Sequence, residues 1–168
     1  MPGEGTGFAC AWKQVMRAVA IRSPPADGPK SVPPLKLTLV VAVALIDADN
    51  RILLAQRPEG KQLAGLWEFP GGKVEAGERP EETLIRELRE ELGIQVKEPC
   101  LAPLTFASHA YEAFHLLMPL YVCRRWEGFV QPLEGQALKW VRPGDLRAYP
   151  MPPADEPLIP FLTDLLGF

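Results

Sequence analysis

The segment from Gly72 to Ile94 constrains the fold and the chemistry of this chain more strongly than any other part of the sequence. Gly72 is followed by five residues, Glu78, seven residues and then the run Arg-Glu-Leu-Arg-Glu-Glu-Leu-Gly-Ile at positions 86–94. At residue usages of several per cent each, this arrangement arises by chance about once in a billion starting positions. The pattern is therefore not accidental, and it indicates a segment with a specific structure and a specific chemical function.

A helix is predicted from Pro80 to Leu92 within this segment. Pro80 suits the first helical turn, the two glutamates after it favour the positive end of the helix, and Gly93 stands where a left-handed cap belongs. At about 100° per residue, an apolar stripe forms on one side of the helix and is expected to pack on a sheet. The stripe consists of Leu84, Ile85, Leu88 and Leu92.

Three glutamates, Glu87, Glu90 and Glu91, share one arc of this helix beside the apolar stripe. A solvated acidic face is the ordinary interpretation of such residues, but the complete pattern at positions 72–94 argues against it. Clustered carboxylates repel one another unless a cation holds them together. Hard divalent cations with oxygen ligands hold carboxylates together well, and Mg²⁺ in particular bridges carboxylates to substrate phosphates. We therefore expect a divalent-metal site on this arc.

The residues next to the arc fit the same interpretation. Arg86 can reach back toward Glu78 and orient it or a liganding carboxylate. Gly71 and Gly72 allow a close approach of the backbone where a side chain would block it. The carbonyl of Gly71 is therefore a further candidate for the metal.

Residues 72–94 resemble the Nudix box, G-x5-E-x7-R-E-U-x-E-E-x-G-U with U apolar, at every specified position. The resemblance implies an α/β fold, the Nudix α/β/α sandwich with a mixed β-sheet, in which a loop–helix–loop forms the metal and diphosphate site. It also implies hydrolysis of a nucleoside diphosphate that is linked to another moiety. A non-catalytic Nudix domain that only binds nucleotides or RNA usually lacks box glutamates, and none is missing here.

From Leu37 to the C-terminus the chain further resembles the MutT-type branch, which removes oxidised or non-standard nucleotides from the pool. Four features carry this resemblance: the approach to the box at positions 66–72, Arg57, the segments 126–128 and 134–136, and the turn at 152–157. By this resemblance Arg57 contacts the nucleotide and Asp155 belongs to the base-recognition turn. Phe69 lies against the base, with plain core packing as the equal alternative. Glu134 supplies a catalytic or metal-binding carboxylate from outside the helix.

The reaction that this branch implies is attack of water on the β-phosphorus of a nucleoside triphosphate, which gives a nucleoside monophosphate and pyrophosphate. A carboxylate near the water takes its proton, and Glu87 is the first choice for this base, with Glu134 second. Glu78 and Arg86 complete the catalytic set. Mg²⁺ is the expected cofactor, with Mn²⁺ as a substitute, and the expected ligands are Gly71, Glu87, Glu90, Glu91 and Glu134.

The preferred base depends on Asp155. The best-known oxidised-guanine members of the branch carry Asn at this position, whereas related enzymes with Asp accept cytosine nucleotides. An ionised carboxylate only accepts hydrogen bonds, which favours 8-oxo-dGTP because guanine offers two donors on one edge and 8-oxoguanine adds a third. Cytosine pairs a donor with an acceptor and would suit a protonated Asp, so CTP or a modified dCTP is the alternative. The box itself also leaves linear dinucleotides and sugar nucleotides open.

Residues 1–34 are predicted to be a disordered N-terminal extension, and residues 35–168 to form the Nudix domain. Five prolines between Pro24 and Pro34 suit an extended linker. Within the domain, a first strand at 37–46 is predicted to form a hairpin with a second at 51–56. A short apolar stretch follows at 66–69, further strands are predicted at 94–97, 102–108, 113–124 and 138–141, and a final helix is predicted at 156–166.

Composition limits the partners and the location. A formal net charge of −3 leaves no basic stripe for a nucleic-acid polymer, whereas a metal ion can supply positive charge for a small phosphorylated substrate. No apolar run approaches the roughly 20 residues of a membrane span. Three widely spaced cysteines suit a reducing compartment. We therefore expect a cytoplasmic monomer that binds a nucleotide and no membrane.

Overall fold

The structure is a computed structural model that describes residues 35–60 and 62–167. The predicted extension at positions 1–34 lies outside the described residues. In the described ranges, no helix combines the length and the apolar character that a membrane crossing requires.

A four-stranded mixed sheet forms the centre of the domain. Its strands stand in the order β4-β1-β6-β5, and the β1–β6 pair is parallel while the β1–β4 and β5–β6 pairs are antiparallel. The strands are β1 (Leu37–Leu45), β4 (Gly71–Lys73), β5 (Ala102–Ala110) and β6 (His115–Cys123).

A second, antiparallel sheet has the order β3-β2-β7. Its strands are β2 (Ile52–Gln56), β3 (Trp67–Glu68) and β7 (Ala137–Val141). The predicted hairpin between the first two strands is therefore wrong beyond its first rung, an isolated bridge between Ile46 and Ile52. Both edges of β1 are already occupied, by β4 and β6, so β2 continues into the other sheet.

Helix α1 (Pro80–Leu92) has the bounds that the sequence predicts. The backbone N–H of Arg79 donates to the Glu82 carboxylate over 2.9 Å at its start. Gly93 ends the helix in the left-handed conformation, with φ of 70°. Local signals therefore determine both ends of α1.

The last helix is shorter than predicted. A 3₁₀ turn (Glu156–Leu158) precedes α2 (Ile159–Leu166), and further 3₁₀ turns occupy Glu98–Cys100 and Pro143–Ala148. Pro160 lacks the N–H that a continuous α-helix from position 156 would donate to the carbonyl of Glu156. The predicted strand at 94–97 is also wrong, because Gln95 forms only an isolated bridge with Glu127 in the loop before β7.

Strand β1 separates two hydrophobic cores, because its alternate side chains point to opposite faces. One core joins Val41, Val43 and Leu45 to α1. The other joins Ala42 and Ala44 to α2. Helices thus cover both faces of the mixed sheet, and the predicted α/β/α sandwich is confirmed.

Candidate active site

The guanidinium of Arg86 connects three carboxylates on and before α1. Its Nε and Nη2 donate to the two oxygens of Glu78 over 2.8 and 3.0 Å. Its Nη1 donates to Glu87 over 2.8 Å and to Glu90 over 3.2 Å. The reach from Arg86 to Glu78 that the sequence suggests is thus present, and the same side chain also fixes two of the expected metal ligands.

Glu78 is held as a carboxylate by this network. The Arg86 guanidinium first, and the Thr83 hydroxyl second, lower the pKa of Glu78 to about 2. Thr83 is fully buried and donates to Glu78 over 2.7 Å. In return, the Glu78 carboxylate raises the pKa of Arg86 above its usual range. Glu78 therefore acts as a permanent anion that orients Arg86, and Thr83 is a contributor that the sequence interpretation did not identify.

Two adjacent glycines create the space for this arrangement, each against a different neighbour. A Cβ on Gly72 would lie 2.4 Å from an oxygen of the Glu87 carboxylate. A Cβ on Gly71 would lie 2.0 Å from the carbonyl oxygen of Val41 in β1. Gly72 thus lets Glu87 lie against the loop, and Gly71 lets the loop itself lie against the sheet.

The loop that carries Glu134 is attached to the C-terminal end of α1. The backbone N–H of Leu133 and the side-chain Nε2 of Gln136 both donate to the carbonyl of Glu91, over 3.0 and 2.9 Å. The N–H of Gln131 donates to the carbonyl of Leu92 over 3.0 Å. The last four carbonyls of a helix accept no hydrogen bond from within the helix, so they are available for such contacts. The loop therefore brings Glu134 to the side of α1 that carries Glu91.

A cleft of about 240 Å³ links this acidic end of the domain to a more buried end. At the acidic end it is lined by Gly71, Gly72, Glu91, Glu134 and Gln136. At the other end it is lined by Arg57, Glu68, Phe69, Met118 and Asp155. The structure thus brings three of the expected metal ligands and all three expected substrate contacts into one cavity, while Glu78, Arg86, Glu87 and Glu90 stand beside it.

Arg57 lines the cleft with its charge partnered by Glu68. Its Nη1 donates to the Glu68 carboxylate over 2.6 Å and its Nε to the carbonyl of Gln62 over 2.6 Å. Arg57 and Glu68 are each about three-quarters buried. Glu68 was not among the expected site residues, but it lines the cleft together with Arg57.

The buried end of the cleft combines an apolar wall with one carboxyl group. Phe69 is 3% exposed and belongs to the core on the α2 side, so it both packs and lines the cleft. Asp155 is 4% exposed, and its Oδ1 accepts a long hydrogen bond of 3.4 Å from the N–H of Phe69. Its side chain makes no capping hydrogen bond to the 3₁₀ turn that follows.

Burial, and secondly the nearby charge of Glu68, raises the pKa of Asp155 to about 7. At neutral pH the group therefore exchanges between a carboxylate and a neutral acid. The neutral acid can donate one hydrogen bond and accept others. Asp155 is thus not permanently ionised at neutral pH, and a donor–acceptor pairing with cytosine gains support.

The carboxylates of α1 do not yet converge on one point. In the part of the chain that the structure describes, no group of three His, Cys, Asp or Glu side chains has the spacing of a metal site. Instead, Nη1 of Arg86 lies between Glu87 and Glu90. The donors nevertheless suit a hard divalent ion, because all are oxygens and Gly72 leaves room for the Glu87 carboxylate.

Comparison with known proteins agrees with this geometry. The family description NUDIX domain matches residues 41–160, which is most of the chain. The chain belongs to this family. Its predicted membership, its fold and its class as a hydrolase are thereby confirmed.

The Nudix chain is similar to curated proteins with two different names. It is 44% identical over 127 residues to a CTP pyrophosphohydrolase of Escherichia coli K12, covering 74% of this chain and 90% of that protein. It is 38% identical over 130 residues to an 8-oxo-dGTP diphosphatase of the same organism, covering 76% of this chain and 98% of that protein.

The fold of this chain is also similar to those of solved structures. The solution structure of the E. coli ORF135 protein matches with a TM-score of 0.69 at 38% identity, over 79% of this Nudix chain and 92% of that chain. A MutT structure from work on Aliivibrio salmonicida and Vibrio cholerae matches with a TM-score of 0.66 at 34% identity, over 77% and 99% of the two chains. The mixed sheet and its two flanking helices are thus shared with MutT-type proteins.

Proposed function

We propose that this protein is a Mg²⁺-dependent nucleoside triphosphate pyrophosphohydrolase that converts 8-oxo-dGTP to 8-oxo-dGMP and pyrophosphate. The observation that carries the proposal is the single cleft that joins Glu91 and Glu134 at one end to Phe69 and Asp155 at the other. A nucleotide needs this combination, since its phosphates require cationic neutralisation and its base requires an apolar wall with a polar reader. The identity to an 8-oxo-dGTP diphosphatase supports this choice of substrate.

Glu87, Glu90, Glu91 and Glu134, with the carbonyl of Gly71, would hold the Mg²⁺, for which Mn²⁺ could substitute. When bound, the metal would neutralise phosphate oxygens and make the attacking water more acidic. Nη1 of Arg86 contacts one oxygen of Glu87 and one of Glu90, so each carboxylate could offer its other oxygen to the cation. The two-point contact of Arg86 with Glu78 would remain, so the guanidinium stays in place while the carboxylates turn to the metal.

The chain's own residues then perform three tasks. Glu87, or Glu134 as the second choice, accepts the proton of the water that attacks the β-phosphorus. The bond from this phosphorus to the oxygen shared with the α-phosphate breaks, and the nucleoside monophosphate leaves with that oxygen. Arg57 contacts the phosphates or sugar, and Phe69 and Asp155 hold the base. Phe69 and Asp155 are nearly fully buried, so the groups that would hold the base have little contact with solvent.

A second substrate class, cytosine nucleotides such as CTP or a modified dCTP, is supported by two observations. One is the pKa of Asp155 near 7, which makes a neutral donor–acceptor carboxyl available. The other is the 44% identity to a CTP pyrophosphohydrolase. Both substrate classes share the same reaction at the phosphates, so they differ only in how Asp155 pairs with the base.

A nucleotide panel with Mg²⁺ tests the proposal. We expect 8-oxo-dGTP to have the highest kcat/KM among 8-oxo-dGTP, dGTP, dCTP, 5-methyl-dCTP, CTP and diadenosine polyphosphates, with pyrophosphate as the product. In ¹⁸O-water the label should enter pyrophosphate and not the nucleoside monophosphate. A cytosine nucleotide as the best substrate would select the second class. Release of orthophosphate, or faster cleavage of a dinucleotide, would contradict both.

A further inference from the structure

One buried amide connects the helix glutamates to the loop glutamate. Gln136 is only 7% exposed and lines the cleft between Glu91 and Glu134. Its Oε1 accepts from the backbone N–H of Glu134 over 2.9 Å, and its Nε2 donates to the carbonyl of Glu91 over 2.9 Å. A single rigid group thus spans the backbones of two residues whose side chains line the same end of the cleft.

The chemistry of these two contacts specifies an amide. The Glu134 N–H donates to Gln136 and the Glu91 carbonyl accepts from it, and among side chains of this length only glutamine offers an acceptor and a donor at one end. A carboxylate could not donate to Glu91, and an apolar side chain could serve neither partner. Because the contact of the Glu134 N–H is partly buried, loss of its acceptor is disfavoured, whereas the Glu91 carbonyl would keep the N–H of Leu133.

Attachment of the loop to the helix does not depend on Gln136. Backbone hydrogen bonds already join Leu133 to Glu91 and Gln131 to Leu92, each at 3.0 Å. Gln95 and Glu127 also exchange two backbone hydrogen bonds of 2.9 Å. The contribution of Gln136 is therefore to fix the backbone of Glu134, and not to attach the loop to the helix.

We propose that Gln136 is a positioning residue that sets the spacing between the Glu134 carboxylate and the glutamates of α1. It thereby determines how strongly the site holds a divalent cation. This inference rests on the proposed function, because it takes Glu134 and Glu91 as ligands. Gln136 itself touches neither metal nor substrate in this role.

Binding of Mn²⁺ to the full chain, measured by calorimetry without nucleotide, tests the inference. We expect Gln136→Met, which keeps the length and loses both hydrogen bonds, to weaken Mn²⁺ binding roughly ten- to a hundredfold, as is usual when a group that orients a ligand is lost. Gln136→Asn, which is too short to span both partners, should act in the same direction and replaces the first variant if that one does not fold. Glu127→Gln is the control, because this exposed side chain of the same loop forms an ion pair with Lys97, and the change should leave Mn²⁺ binding unchanged.

A double-mutant cycle separates positioning from general stability. If Gln136 acts through Glu134, Gln136→Met should weaken Mn²⁺ binding in the wild-type background and add little in the Glu134→Gln background. Equal effects in both backgrounds, or no Mn²⁺ binding by the wild type, would overturn the inference. The nucleotide panel decides the proposed function separately, since pyrophosphate release by the wild type needs no assumption about Gln136.

Discussion

The carboxyl group of Asp155 lies 3.4 Å from the backbone nitrogen of Phe69, although the two residues are far apart in the chain. This contact ties the turn before the last helix to the strand end that leads directly into Gly71 and Gly72. The proposed base contacts at Phe69 and Asp155 and the glycines beside the proposed metal ligands are therefore linked through one continuous backbone segment. A change in the protonation of Asp155 thus occurs within the substrate cavity itself.

Base preference is predicted to depend on pH through Asp155. Below pH 7 its neutral form offers a donor and an acceptor, which suits cytosine, and above pH 7 its carboxylate offers acceptors only, which suits 8-oxoguanine. We expect the ratio of kcat/KM for 8-oxo-dGTP to that for dCTP to rise up to about tenfold from pH 6 to pH 8. Competition assays give this ratio directly, because effects of pH on the shared phosphate chemistry cancel.

Asp155→Asn supplies the control for that experiment, since an amide does not titrate in this range. Its ratio should be independent of pH. Asp155→Ala should reduce discrimination between bases without abolishing turnover, because the contacts to the phosphates remain. A wild-type ratio that stays constant from pH 6 to pH 8 would show that Asp155 does not read the base through its proton.

The same group is predicted to make stability depend on pH. The folded-state pKa of about 7 lies above the reference value of 3.8, so the folded protein binds more protons than the unfolded chain between these values. The free energy of unfolding should therefore fall as pH rises from about 4 to about 7 and then level off. At about 1.4 kcal/mol per pKa unit, the fall is at most about 4 kcal/mol.

Urea denaturation of the wild type and Asp155→Asn at pH 5, 6, 7 and 8 measures this effect. The stability of the variant relative to the wild type should increase across the series. Asp164→Asn serves as the control, because Asp164 is an exposed acid on α2. A constant difference between wild type and Asp155→Asn at every pH would contradict the raised pKa.

Alanine substitutions at the two adjacent glycines are predicted to affect different properties of the protein, stability at Gly71 and turnover at Gly72. Gly71→Ala places a Cβ against the main-chain oxygen of Val41, which cannot move without distorting β1, so it should destabilise the fold by about 1–3 kcal/mol or more. Gly72→Ala displaces the Glu87 side chain, so it should reduce kcat about a hundredfold or more with a smaller effect on stability. Melting temperature and kcat measured on both variants would show the contrast, and similar profiles for the two would argue against it.

Local patterns in the sequence were sufficient for α1 and insufficient for pairing between distant segments. Pro80 and the capping residues act on the first turn of the helix and Gly93 acts on its last turn, and the observed bounds follow them. The partner of β2 depends instead on which strands occupy the edges of β1, and β4 and β6 lie far along the chain. The sequence contains no local signal for that competition.

The residues of the candidate site also differ in whether local sequence patterns could predict their contacts. The contact of Arg86 with Glu78 could be anticipated because both belong to one short motif. Gln136 was overlooked as a site residue because its role depends on Glu91, which is distant in sequence. The pKa of Asp155 could not be anticipated either, since it arises from burial and from the approach of Glu68.

The final prediction concerns the acidic arc of α1. Glu90→Gln should nearly abolish turnover while the protein stays folded, because Glu90 is exposed and its loss removes a proposed metal ligand without opening a cavity. The loss in kcat should reach at least about 10²–10⁴-fold, the range that a single general base contributes. Glu82→Gln is the matched control, since it removes the same charge from the first turn of α1 and keeps an acceptor for the N–H of Arg79. Far-ultraviolet circular dichroism would check folding, and pyrophosphate release would measure turnover. A folded Glu90→Gln protein that retained more than half of the wild-type activity would remove Glu90 from the metal site and leave it as a partner of Arg86 alone.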